Sequence, residues 1–266
     1  MKKSAAAMAQ FIDGFDVTSP LSYPLLALDE PPPYGLYNGA GSSDIVLICE
    51  HASPLIPRAL GDLGVSQDDR MRHIGWDIGA LRLAEALADR LDAPLFYSNY
   101  SRLVLDANRP LGAAQMFPEV SDGTEIPGNL GLSEADKALR ADHFLHPLHG
   151  AIASYLDERQ TLGQPTKIVS VHSFTPVYGG IARPWHIGVL YGASEAYGQE
   201  LLRKLAQDPD LVSGDNEPYR IDENDYAIPV HGDQRGLPAL LLELRHDLIK
   251  APEDIGAWAD RLAKLL

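Results

Sequence analysis

The chain has a single cysteine, Cys49, in 266 residues. No intrachain disulfide can form, and a reducing compartment, with the cytoplasm as default, is expected over secretion. No run approaches the roughly 18 apolar residues that a membrane-spanning helix requires, so no membrane partner is expected. The start, Met1-Lys-Lys followed by Ala5-Ala-Ala-Met-Ala9, carries the charge of a secretion signal, but Gln10, Asp13 and Asp16 interrupt it before an apolar core develops. Basic charge is scarce: 22 lysines and arginines face 37 aspartates and glutamates, a net of -15. Such a surface cannot neutralise phosphates in general, which argues against nucleic acid as a partner. Also missing are a phosphate-loop pattern, a dinucleotide-binding glycine fingerprint after the first strand and a glycine-flanked nucleophilic serine. Nucleotide enzymes and serine hydrolases are thereby disfavoured.

What is present is an ordinary globular composition, 45% hydrophobic and 22% charged, in a chain long enough for one large α/β core. Residues 1–43, broken by Pro20, Pro24, Pro31-Pro-Pro33 and several glycines, read as an N-terminal arm. Leu25-Leu-Ala-Leu28 suggests that part of this arm packs on the domain. Residues 44–266 read as a single domain. Strand-like runs fall at 45–49, 95–98, 103–105, 167–171, 187–191 and 239–244. Between them, Leu81, Ala84, Leu87, Ala88 and Leu91 recur at helical spacing within 78–91. A long helix is predicted from Leu132 to about Gln160, capped by Ser133 and bent at Pro147, and two more at 194–207 and 252–265. This alternation predicts a three-layer α/β sandwich with a mixed, mostly parallel sheet between helices.

The polar residues that interrupt or end the apolar runs are the candidates for chemistry. Ile45-Val-Leu-Ile-Cys49 runs into Glu50 and His51, and Lys167-Ile-Val-Ser-Val171 delivers His172 and Ser173. In open α/β sheets ligands bind beyond the carboxyl ends of strands. Two histidines with one nearby acid match the ligand set of a catalytic zinc, and core hydrogen bonding is the competing reading for each histidine alone. Asp77 and Glu50 compete for the acidic place. In an extended strand Glu50 points away from the face that His51 occupies, which favours Asp77. Glu243 sits inside the apolar run Leu240–Leu244, where an unpaired carboxylate is costly. It reads either as half of an ion pair with an arginine or as a general base beside a metal-activated water. Arg102, Asn108 and Arg109 crowd a short stretch suited to gripping a substrate carboxylate, against a background of surface ion pairing. His143, His146 and His149 do not share one helix face and read as surface residues or supports behind the site. Trp185 and His186 read as core or pocket wall, and Gly214-Asp-Asn-Glu-Pro-Tyr219 as a loop.

Several motifs together resemble one family. They are Cys49-Glu-His-Ala-Ser53, His73-Ile-Gly-Trp-Asp-Ile-Gly79, Tyr100-Ser-Arg-Leu-Val-Leu-Asp-Ala-Asn-Arg-Pro110, Ser121-Asp-Gly-Thr124, Val171-His-Ser-Phe-Thr-Pro176, Arg183-Pro-Trp-His-Ile-Gly188 and Arg235-Gly-Leu-Pro238 leading to Glu243. The chain resembles the N-formylglutamate amidohydrolases, whose fold is similar to that of zinc carboxypeptidases and aspartoacylase-type hydrolases. The resemblance implies zinc held by His51, His172 and an acid. It also implies Asn108 and Arg109 on a substrate carboxylate and Glu243 as catalytic base; beside these, Arg102 is expected to help stabilise the oxyanion, and Ser173 and Glu50 to lie on the substrate side. The implied reaction is hydrolysis of N-formyl-L-glutamate or a related acidic amide, a small-molecule substrate. Pro54 stands where the more distant relatives carry the acidic ligand, so the resemblance alone does not choose between Asp77 and Glu50. Two rival functions are a non-catalytic carboxylate-binding protein and a zinc peptidase or cell-wall amidase of the same fold.

Overall fold

The computed structural model describes residues 25–266. Leu25 and Leu26 pack on the cluster around Ile56, Leu63 and Tyr100. Residues 1–24, where most of the arm was read, lie outside the described residues.

The central sheet has seven strands. They are β1 (Tyr34–Tyr37), β2 (Ile45–Cys49), β3 (Leu95–Ser98), β4 (Lys167–Phe174), β5 (Ile187–Leu190), β6 (Ser213–Asp215) and β7 (Ala239–Arg245). Their spatial order is β1-β3-β2-β4-β7-β5-β6. β3, β2, β4 and β7 are mutually parallel at the centre, while β1 pairs antiparallel with β3 and β5 antiparallel with β7. The mixed, mostly parallel sheet predicted from the alternation is therefore present. β1 and β6 are additions at the two edges. The sequence predicts arm and loop at these places because each strand is short and contains glycine, the signature of an edge rather than of a core strand.

Strand alternation divides the core into two faces. On one, Leu47, Val171, Leu242 and Leu244 pack under α1 (Ala80–Leu91), α4 (Glu195–Leu205) and α5 (Pro252–Leu265). On the other, Val46, Ile48, Ile168 and Leu241 pack under α3 (His146–Thr161). The buried stripe of α1 is Ala80, Leu83, Ala84, Leu87 and Ala88, so Leu81 and Leu91 of the expected stripe lie at its margins, only partly buried. The long helix expected from 132 is α2 (Glu134–Arg140), a π-turn at Ala141–Leu145, then α3. Ser133 forms a full capping box with Asp136, and Pro147 lies in the first turn of α3, directly after the π-turn. One run was misread. Leu103-Val-Leu105 is buried but lies in a turn, not a strand. Its backbone is satisfied from outside: Asn129 Nδ2 donates to the Leu103 carbonyl at 2.9 Å and the Arg140 guanidinium to that of Val104 at 3.1 Å.

Candidate metal centre and active site

β4 and β7 are paired so that His172 stands level with Glu243, and adjacent parallel strands aim level side chains to the same face. Glu50, in the Val46-Ile48-Glu50 alternation of β2, points to that face too. His51 begins the bend after β2. Its carbonyl accepts the Asp77 N–H at 2.9 Å, which ties the end of the strand to the turn before α1. Gly79 makes that turn. Its φ of 83° is left-handed, and a Cβ there would meet the Ile249 carbonyl oxygen at 2.7 Å, so only glycine lets the chain pass from Asp77 into the helix. The Ser101–Arg109 loop brings in the remaining groups. It is fixed by the Ser101 hydroxyl donating to the Gly75 carbonyl at 2.7 Å and by the Asp106 N–H donating to that of Met116 at 2.8 Å.

The resulting constellation is ordered around two imidazoles whose rings meet edge-on, centroids 4.8 Å apart. His51 Nε2 lies 2.7 Å from Asp106 Oδ1, and its Nδ1 lies 3.4 Å from Asp77 Oδ2 with no hydrogen-bond partner. His172 Nε2 lies 3.0 Å from Glu50 Oε2, which also accepts the Ser170 hydroxyl at 2.7 Å. His172 Nδ1 lies 2.8 Å from Asp77 Oδ2, the same oxygen that His51 faces. Each histidine thus has a carboxylate behind it and turns its other nitrogen to Asp77. One ligand atom each from His51, Asp77 and His172 falls within 4.8 Å of the others, and all three residues are buried. Carboxylate-backed imidazoles converging with an aspartate are the donor set of a divalent metal site, and the buried, unpartnered Nδ1 of His51 fits it.

Charge supports that fit. Burial alone would raise the buried acids, but His172 beside Glu50 brings its carboxyl down to about 2. His51 and His172 hold Asp77 well below the ordinary carboxylate range, and Arg102 with His51 does the same for Asp106. Against their own desolvation, both imidazoles are driven up by these acids. The acids therefore call for positive charge between the imidazoles, which protons or a divalent cation can supply. Glu243 behaves oppositely. Burial and the Asp77 charge push its carboxyl up to about 7, and its Oε2 has no partner. Arg102 joins the two aspartates, donating to Asp106 Oδ2 at 2.6 Å and to Asp77 Oδ1 at 3.3 Å. His51, Asp77, Arg102, Asp106, His172 and Glu243 line a cavity of about 550 Å³.

A family model described as N-formylglutamate amidohydrolase matches residues 43–250. The chain belongs to the N-formylglutamate amidohydrolase family. Membership makes it a hydrolase acting on amides. A gene product of Agrobacterium tumefaciens of known crystal structure is 35% identical, with 91% of this chain and 96% of that chain covered and a TM-score of 0.88. The N-formylglutamate amidohydrolase of Ralstonia eutropha JMP134 shares the fold at 17% identity, with 88% and 96% covered and a TM-score of 0.64. Comparison with the curated proteins found no match.

In this family member the structure draws His51, Asp77, His172, Glu50, Glu243, Arg102 and Ser173 to one place. Glu50 stands behind His172 rather than in the three-residue cluster. Ser173 serves the turn: its N–H donates to Asp77 Oδ2 at 3.2 Å and its hydroxyl to the Ile78 carbonyl at 2.9 Å. Asn108 and Arg109 line the cavity but are bonded to Asp225, 2.9 Å from Arg109 and 3.3 Å from Asn108. Sequence reasoning gave no role to Asp106 as the carboxylate behind His51, although its place in a run of polar residues was a signal. Asp225 carried none. His149 is buried away from the cluster, between the Ala107 carbonyl at 2.7 Å and His231 Nε2 at 2.9 Å.

Proposed function

We propose that the chain is a zinc-dependent amidohydrolase that removes the acyl group from a small N-acyl, foremost N-formyl, amino acid in the cytoplasm. One observation carries the reading: Glu243, a buried acid with a raised pKa and an unpartnered oxygen, stands level with His172 and faces the same cavity as the His51–Asp77–His172 cluster. A carboxyl poised near neutrality suits proton transfer in both directions.

His51, Asp77 and His172 would hold the cation, and His and carboxylate ligands also accept divalent ions other than zinc. When bound, the cation supplies Lewis acidity toward water and the amide carbonyl. Asp106 and Glu50 keep the two imidazoles in the tautomer that presents Nδ1. Glu243 takes the proton of the attacking water and returns it to the departing amine nitrogen. The Arg102 guanidinium, fixed by two aspartates, is a preorganised donor for the charge that develops on the carbonyl oxygen. Arg220 supplies positive charge along the cavity for a substrate carboxylate, and Arg109 with Asn108, which hold Asp225, line its far end on the substrate side. A screen of the zinc-loaded protein for formate release from N-formyl amino acids, with short peptides and other N-acyl amino acids alongside, tests the reading. Formate release is expected. Peptide cleavage without it would select the peptidase, and carboxylate binding without hydrolysis the binding protein.

A further inference from the structure

The Asn108–Arg109 end of the cavity already holds a carboxylate, and it belongs to this chain. Asp225 Oδ1 accepts from Arg109 at 2.9 Å and from Asn108 Nδ2 at 3.3 Å, while its Oδ2 accepts the Asp222 N–H at 3.0 Å. The neighbouring backbone locks the arrangement. Asn108 Oδ1 accepts the N–H groups of Tyr226 and Ala227 at 3.1 and 2.9 Å, and Arg109 also donates to the Asn224 carbonyl at 2.9 Å. A substrate carboxylate arriving here must either displace Asp225, exchanging one anion for another and opening the 222–225 turn, or lie beside it against like charge.

The other arginines sharpen the point. Arg102 is committed to Asp77 and Asp106. Arg220 is the one arginine of the cavity wall without a carboxylate partner among the described residues. Of the six carboxylates in that wall, Asp122 is paired with Arg72 outside it, while Asp77, Asp106 and Asp225 hold Arg102 and Arg109. Arg220 is thus the uncommitted cation of the wall for one substrate carboxylate, and a second would have to meet Arg109 where Asp225 already sits.

We propose that Asp225 is a specificity residue that rejects a second carboxylate, so that the preferred substrate is an N-acyl amino acid with one carboxylate and a neutral, hydrogen-bond-donating side chain such as a primary amide. This rests on the amidohydrolase reading above. The amide N–H2 of a glutamine-like side chain donates to Asp225 where a glutamate-like carboxylate is repelled.

The test compares N-formyl-L-glutamine with N-formyl-L-glutamate on the zinc-loaded protein. The expected kcat/KM favours the glutamine compound by about tenfold or more, and Asp225→Asn moves the ratio toward glutamate by a similar factor, chiefly through KM. Asp225→Ala, checked for an intact melting transition, guards against a defect peculiar to asparagine. A purely structural role would slow both substrates alike. A native preference for glutamate of tenfold, or a ratio that stays within about threefold in both folded variants, overturns the proposal. If neither compound releases formate, the amidohydrolase reading fails. The selectivity is then decided by calorimetric affinities for the same two compounds, where equal or glutamate-favouring binding overturns it.

Discussion

Replacing Asp106 by asparagine separates the carboxylate behind His51 from the ligands themselves. Asp106 Oδ1 receives the His51 imidazole at 2.7 Å and the Asn108 N–H at 3.0 Å, and Oδ2 receives Arg102 at 2.6 Å. Asparagine keeps one acceptor. If that oxygen stays on His51, the new N–H2 opposes the Arg102 guanidinium, and if it turns to Arg102, the N–H2 opposes His51 Nε2. Either way one charge-assisted bond is lost, together with the negative charge that raises the basicity of the imidazole. Removing such a carboxylate lowers metal affinity by about 10- to 100-fold, or about 1.4 to 2.7 kcal/mol. Glu50→Gln should cost less, nearer tenfold, because Glu50 Oε1 has no partner and can become the N–H2 while the other oxygen keeps His172 and Ser170. Competition with a chromophoric chelator for zinc measures both, with circular-dichroism melting as a control for folding. Affinity unchanged within about twofold in folded Asp106→Asn, or a larger loss in Glu50→Gln than in Asp106→Asn, would refute the reasoning.

Acid should destabilise the fold through His231. Burial, with His149 and Arg235 nearby and Glu50 opposing them, lowers its pKa to about 3, and Tyr226 packs edge-on against it. A histidine depressed below its unfolded value stabilises fully above about pH 6.5 and loses that contribution as pH falls toward 3, so about 2 kcal/mol should be gone at pH 5. Urea unfolding at pH 7.5 and 5 should show this loss shrinking in His231→Gln; an unchanged loss would contradict the assignment. Ser133→Ala removes the capping box of α2 and should cost about 1 kcal/mol, a fall of about 2 to 4 °C in Tm by calorimetry. Formate release per folded molecule should stay unchanged in that variant.

The fold was legible where side chains alternate against a core. β2, β4 and β7 are continuous apolar runs because both faces are covered, and α1, α4 and α5 show helical periodicity for the same reason. Edges were not legible, since β1 and β6 are made by pairing rather than by burial. Leu103-Val-Leu105 was misread because hydrophobicity reports burial, not conformation, and the bonds that let a turn be buried come from Asn129 and Arg140, far along the chain. In the site, the ends of apolar runs mark His51 and His172, and Glu243 is marked as the one carboxylate inside such a run. Asp77 and Glu50 could be ranked by strand geometry, but their division of labour appears only when β2 and β4 are set side by side. Asp225 lies 116 residues from Arg109, and nothing in a turn-rich stretch marks one acid as its partner.

The central claim, that Glu243 moves protons at a cation held by other residues, is tested most directly by metal content and formate turnover measured on one preparation of Glu243→Gln. Zinc bound as in the unaltered protein, with turnover of an N-formyl amino acid lowered by about 10²- to 10⁴-fold, is the predicted result. Turnover within about tenfold of the unaltered protein at full zinc occupancy would contradict it.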